Sequence, residues 1–248
     1  MKDLNKFKVV IFSLNEPTSE LSVHCFKKLG FTDIQVIDGQ GTFVEKFILF
    51  SKLVNNTDNG YYIRSDSDRF VFDGMVDLVN NIDVDYNHFE GYGFDYFMNK
   101  FRGATPQIYH RDVLMKLFNN NNLITDVPKP ENYFCKNAKV KFKSHKIFTN
   151  LHDYYQKPSK VCNTFLNRMI RDGIIHYDLN YINQLPQHYI EAFKVAQMCF
   201  KRRKFTPDMN YQNFDFLDEG FNQDISDLDK VYYETRKIYQ KIYGNEIK

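Results

Sequence analysis

The chain has 248 residues, 43% hydrophobic and 26% charged, with 33 basic against 31 acidic side chains. That length suits a single α/β domain with an appendage and a substantial buried core, which excludes disordered, collagen-like and disulfide-stapled classes. A net charge of +2 excludes a globally charge-driven nucleic-acid coat and leaves only local patches. Cys25, Cys135, Cys162 and Cys199 are widely spaced, form no C-x-x-C pair and read as free thiols among apolar neighbours. No leader-like or membrane-length apolar stretch is visible, so the sequence reads as that of a soluble cytoplasmic protein.

In chain order, residues 8–14 form a nearly continuous apolar run, as in a strand buried on both faces. Thr18 or Ser19 can cap a helix over 20–29 that buries Leu21, Cys25 and Leu29 and stops at Gly30. Residues 34–37 read as a second strand ending at Asp38-Gly39, and 43–54 as an amphipathic helix with Phe47, Phe50 and Val54 on one stripe. Residues 61–63 begin a third strand that runs into Arg64-Ser65-Asp66-Ser67-Asp68. This β-α-β-α-β order implies a mostly parallel central sheet flanked by helices, whose ligand site lies beyond the carboxyl ends of the strands. Those ends carry Ser13, Asn15, Glu16, Asp38, Asp66 and Asp68.

Beyond the third strand the pattern is weaker. A helix plus a short strand is expected over 75–84; residues 89–97 are rich in Gly and aromatics; residues 108–118 turn helical near their end. Residues 136–171 are one-sidedly basic, and Lys139, Lys141 and Lys143 alternate as on the exposed side of an edge strand. Residues 206–229 are acid-rich, and helical patterns over 185–203 and 227–242 suggest a mostly helical C-terminal appendage. The expected division is therefore 1–155 as the ligand-binding part and 156–248 as a helical extension packed on it.

The most informative triplet is Asp66-Ser67-Asp68, two carboxylates two positions apart at a strand end. Hard divalent ions favour such oxygen ligands, with substrate phosphates completing the shell. Lys46, on the helix before the third strand, could reach a phosphate from there, although a solvated face is the commoner fate of such a lysine.

Taken together, residues 9–70 resemble the nucleotide-sugar-binding half of GT-A glycosyltransferases, a Rossmann-related α/β fold. The apolar first strand with Ser13-Leu14-Asn15-Glu16, the acidic Asp38 after the second strand and the D-x-D of Asp66-Ser67-Asp68 carry the resemblance. It implies a metal-dependent transferase that moves a sugar from a UDP- or GDP-sugar to a hydroxyl acceptor. Ser13, Asn15, Glu16, Asp38, Lys46, Arg64 and Asp66 would bind the donor, and Asp66 and Asp68 would hold Mn²⁺ or Mg²⁺. More loosely, Asp126 or Glu131 would match the family's acidic segment as acceptor base, and His152 a late metal ligand.

Competing readings are a sugar-phosphate nucleotidyltransferase, a phosphatase of the haloacid dehalogenase type and a silent binding module of the same fold. The first lacks its Gly-rich loop, because residues 13–16 contain no Gly. The second would place its Asp-x-Asp on the first strand. A nucleic-acid acceptor would suit the basic stretch and is not favoured.

Overall fold

A computed structural model describes residues 2–39, 41–57, 59–127, 129–152, 154–172, 177–202, 213–222 and 224–246. The elements in chain order are β1 (Phe7–Phe12), α1 (Thr18–Lys28), β2 (Ile34–Ile37), α2 (Phe43–Leu53), β3 (Tyr61–Asp66), β4 (Arg69–Val71), α3 (Asp73–Asn80) and β5 (His88–Asp95). They continue with β6 (Lys100–His110), α4 (Arg111–Asn119), α5 (Pro130–Asn137), β7 (Phe142–His152), α6 (Pro158–Asp172), α7 (Leu179–Ile182), α8 (Gln187–Lys201) and α9 (Leu228–Glu246). The end of the helix expected over 185–203 and residues 206–212 of the acid-rich stretch lie outside the described residues.

The strands form one seven-stranded sheet in the order β2-β1-β3-β6-β5-β7-β4. β1 pairs in parallel with β2 and with β3, as the β-α-β-α-β reading requires. Beyond β3 the character changes: β6 runs antiparallel to β3, and β4 antiparallel to β7. The protein is thus α/β with helices flanking a central sheet, and the sheet is mixed rather than mostly parallel. Residues 89–97 and 100–110, unassigned from sequence, are largely the strands β5 and β6, whose glycines and aromatics obscure a period-two pattern. Lys143 lies on β7 ahead of residues 150–152, which pair with β4, and its ammonium bonds Asp83 at 2.8 Å.

The chain divides into two compact units: Met1–Phe94, Phe101–His152 and Ile225–Lys248 make the first, Asp95–Lys100 and Asp153–Asp224 the second. The division expected at 155 therefore differs at its far end, since α9 belongs with the sheet. The reason is aromatic packing: Tyr232 and Tyr239 lie against Phe72, and the Tyr239 hydroxyl donates to the Phe148 carbonyl at 2.6 Å.

In the first unit, α2 starts at a capping box in which Thr42 and Glu45 each bond the other's backbone N–H. Its Phe47 and Phe50 are fully buried against Phe12, Tyr62 and Tyr109. α1 starts differently from the expectation. Pro17 is its N-cap and makes no side-chain cap, while Ser19 turns its hydroxyl to that of Ser13 at 2.7 Å. α3 lies so close to β7 that a Cβ at Gly74 would collide with the Phe148 carbonyl oxygen. The second unit is built on α6 and α8, with Phe97, Phe165, Met169 and Phe193 in its core. Asp95, fully buried there, is held by Arg168 at 2.7 Å. The four cysteines are free, as expected, with Cys25 and Cys162 buried.

Two expectations follow. Gly74→Ala should lower the urea-unfolding free energy by about 1–3 kcal/mol, because backbone rather than a flexible side chain must yield. His88 stacks on Tyr109 at 4.3 Å, and burial, helped by the charge of Arg64, pushes its pKa down to about 3. The fold therefore holds His88 neutral while the unfolded chain takes a proton. That stability is complete above about pH 6.5 and is lost on acidification at up to about 1.4 kcal/mol per pH unit. His88→Phe should flatten the decline measured between pH 6.5 and 4.5.

Candidate functional site

The carboxyl ends of β1, β2 and β3 are brought together by their pairing. Phe12 stands in register with Asp66, and Ser13 N–H bonds the Ile37 carbonyl at 3.0 Å. Past β1 the chain turns through Asn15, whose φ of 59° lies in the left-handed region that Asn tolerates. This turn presents the Asn15 N–H to Asp38 Oδ1 at 2.7 Å, and Gly39 N–H joins it at 3.1 Å. A hydrogen bond from the Ser13 hydroxyl, then the Asn15 N–H, holds the Asp38 carboxyl below the ordinary carboxylate range. Asp38 itself is exposed. Beside it opens a cavity of about 440 Å³ lined by Val23, Val36 and Leu228, with Glu20, His24 and Lys27 also on its wall.

Lys46 reaches up from α2 and donates to the Ser13 carbonyl oxygen. Burial lowers its pKa, and the charges of Asp38, Glu16 and Asp66 oppose that shift. The ammonium is therefore buried among carboxylates at the strand ends, not on a solvated face.

β3 delivers Arg64, only 4% exposed, with its guanidinium 5.1 Å from the Phe12 ring and 4.8 Å from the Phe43 ring. Arg64 Nη2 holds Asp66 Oδ1 at 2.6 Å, and Nη1 holds Glu131 at the start of α5. Burial works against the guanidinium's charge, and the attraction of Asp66 and Glu131 more than offsets it. After Asp66 the chain makes a tight turn into β4. Ser67 N–H is tied to the Phe12 carbonyl at 3.0 Å, and the Ser67 hydroxyl donates to Glu16. Asp68 then faces His152 at the end of β7, Oδ2 to Nε2 3.6 Å, both side chains largely buried. Arg102, on β6, donates from Nη2 to His152 Nδ1 at 2.9 Å.

The structure thus brings together Ser13, Asn15, Glu16, Asp38, Lys46, Arg64 and Asp66, and sets Asp68 beside His152. Two sequence expectations take another form. Asp126 is exposed on the bend before α5 and, among the described residues, touches none of these groups. Glu131 is engaged by Arg64, which makes it a positioning residue for Asp66 rather than a carboxylate presented as a base. Arg102 was not legible in the sequence, because nothing marks 100–110 as a strand.

Among the described residues no group of three or more His, Cys, Asp or Glu side chains could hold a metal ion. Asp66 does not join Asp68 and His152, since Arg64 holds it. The pair Asp68–His152, one carboxylate and one imidazole, is nevertheless a donor set that Mn²⁺ or Mg²⁺ accepts when phosphate oxygens complete the shell. Because Arg102 donates to Nδ1, neutral His152 carries its proton on Nε2, and an ion taken up there replaces that proton.

No protein-family model matches the chain, and no curated protein matches it. Solved structures resemble it distantly. A197 from STIV is 10% identical with a TM-score of 0.43, over 56% of this chain and 82% of that one. The 4-diphosphocytidyl-2C-methyl-D-erythritol synthase of Anaerococcus prevotii is 9% identical with a TM-score of 0.44, over 61% and 91%. S. aureus TarS 1-349, solved with UDP-GlcNAc, is 9% identical with a TM-score of 0.36, over 78% and 80%. At such distances the function has to be argued from the site itself. Among the described residues no helix is long and apolar enough to cross a membrane.

Arg64→Met should cost about 3 kcal/mol of stability, since it leaves two carboxylates without their buried counter-charge. Arg64→Lys should recover only part of this, because an ammonium cannot serve two carboxylates in the plane between two rings. Urea unfolding of both variants measures the difference.

Proposed function

We propose that the protein is a glycosyltransferase that moves a sugar from a nucleoside-diphosphate sugar to a hydroxyl acceptor. The observation that carries this reading is the convergence of Asp38, its adjoining cavity, Lys46 and the Asp66-Ser67-Asp68 turn at the ends of three parallel-paired strands. The parts answer to the parts of such a donor. A cavity with apolar side chains on its wall suits a nucleobase, and Asp38, held ionised and exposed at its mouth, accepts hydrogen bonds from a ribose diol.

Lys46 and Arg64 lie on the diphosphate side. Lys46 adds positive charge near the strand ends, and Arg64 keeps Asp66 in a fixed orientation. Asp68 and His152 would hold the divalent ion, which when bound supplies charge to stabilise a departing diphosphate. The remaining work of this chain is to bind and orient. Ser67 N–H on Phe12 and Glu16 on the Ser67 hydroxyl fix the turn that carries both aspartates, so reacting groups need no rearrangement to meet the donor. The proton of the acceptor hydroxyl is not assigned to Asp126 or Glu131, given where the structure places them.

Screening UDP, GDP and their sugar conjugates by thermal unfolding tests the reading. At a hundredfold excess over Kd, one nucleotide should raise Tm by about 5–10 °C in the presence of Mn²⁺ or Mg²⁺. Asp68→Ala should abolish the metal-dependent part, and Asp38→Asn should weaken nucleotide binding with or without metal. Absence of any nucleotide shift in the wild type would sink the proposal. Release of pyrophosphate from a nucleoside triphosphate and a sugar phosphate would replace it with nucleotidyl transfer.

A further inference from the structure

The second unit contains a cavity of its own, about 160 Å³, bounded by Tyr96, Tyr154, Tyr155, His188, Tyr189 and Phe221. Its rings are held by one another and by the backbone. Tyr154 stands edge-on to Tyr96 and to Tyr155, each at 4.7 Å, and His188 lies 5.0 Å from Phe221. Tyr189 is 3% exposed and donates its hydroxyl to the Gln156 carbonyl at 2.9 Å, while Tyr181 donates to the Tyr96 carbonyl at 2.7 Å. Aromatic walls pinned in this way lose little conformational freedom when a ligand enters.

Size and charge narrow the ligand. The volume is below the roughly 300–1,000 Å³ of clefts that take drug-sized molecules, so a single ring fits and a nucleotide does not. Among the described residues the lining includes no Asp, Glu, Lys or Arg, which disfavours phosphates, carboxylates and amines. Burial lowers the pKa of His188, so its imidazole is neutral at pH 7 and offers one donor and one acceptor. Asn222, exposed at the rim, adds an amide with both. Flat apolar walls with uncharged donors and acceptors at the edge match a molecule that has apolar C–H faces and a girdle of hydroxyls. That description fits a pyranose.

We propose that this cavity binds one uncharged sugar ring, belonging to the glycan that presents the acceptor hydroxyl. The binding claim stands on the second unit alone; the acceptor role rests on the glycosyl-transfer reading.

Saturation-transfer NMR on the full chain tests it, using the methyl pyranosides of glucose, galactose and N-acetylglucosamine as probes and N-acetyl-tyrosinamide as a control. At least one glycoside should receive saturation at its ring C–H protons. His188→Ala should weaken it about tenfold, and Asn222→Ala, which removes an exposed side chain, by a smaller factor in the same direction. Asp38→Asn should leave the sugar signal intact, and both pocket variants should keep the nucleotide-induced rise in Tm. Three outcomes overturn the proposal: no transfer to any glycoside, transfer unchanged in both pocket variants, or N-acetyl-tyrosinamide displacing the sugar at equal concentration. The last would reassign the cavity to a peptide side chain. Loss of sugar binding with the nucleotide shift retained refutes this inference alone, whereas the converse refutes the donor reading and leaves the sugar pocket.

Discussion

The Arg64 guanidinium is the interaction on which the site depends. It is buried, it lies within cation–π distance of Phe12 and Phe43, and it divides its two nitrogens between Asp66 and Glu131. A charge in that position is tolerable only because both carboxylates answer it, and they in turn are fixed by it. One planar group thus connects β1, through Phe12, with the starts of α2 and α5 and with the end of β3. The orientation of Asp66 comes from the rigid core and not from a solvent-exposed loop.

Around this fixed point the site alternates charge at close range. Asp38, Glu16 and Asp66 surround Lys46, while Asp68 faces His152, which in turn accepts from Arg102. Such an arrangement sets Asp38 and Asp66 each beside a cation, which offsets their mutual repulsion. It also explains how two aspartates of one triplet can differ in partner. Asp66 is turned to Arg64, and Asp68 to His152.

The first half of the fold was legible because its signals are local and redundant. A continuous apolar run, an amphipathic apolar stripe and an acid-rich strand end fixed β1, α2 and β3 and their parallel pairing. The cluster from Ser13 to Asp66 followed from topology alone, since carboxyl ends of adjacent parallel strands must meet. What stayed hidden depends on partners distant in sequence. The glycines of β5 interrupt its period, because they are selected by the close approach of β7: a Cβ at Gly91 would meet the Thr149 side chain at 2.5 Å. Without β5 and β6, Arg102 had no predicted location. Glu131 was seen as an acidic residue before a helix, but its engagement with a strand 67 positions away is tertiary information.

The return of α9 to the sheet unit has a consequence for how the molecule is made. Unit 1 is discontinuous along the chain, with most of unit 2 emerging from the ribosome before Tyr232 and Tyr239 exist to cover Phe72 and Phe148. During synthesis one face of the nascent sheet waits uncovered while the helical unit is completed. This late stretch is therefore a closing clasp, and a ribosome that stalls ahead of it would leave a sticky apolar surface for chaperones to shield.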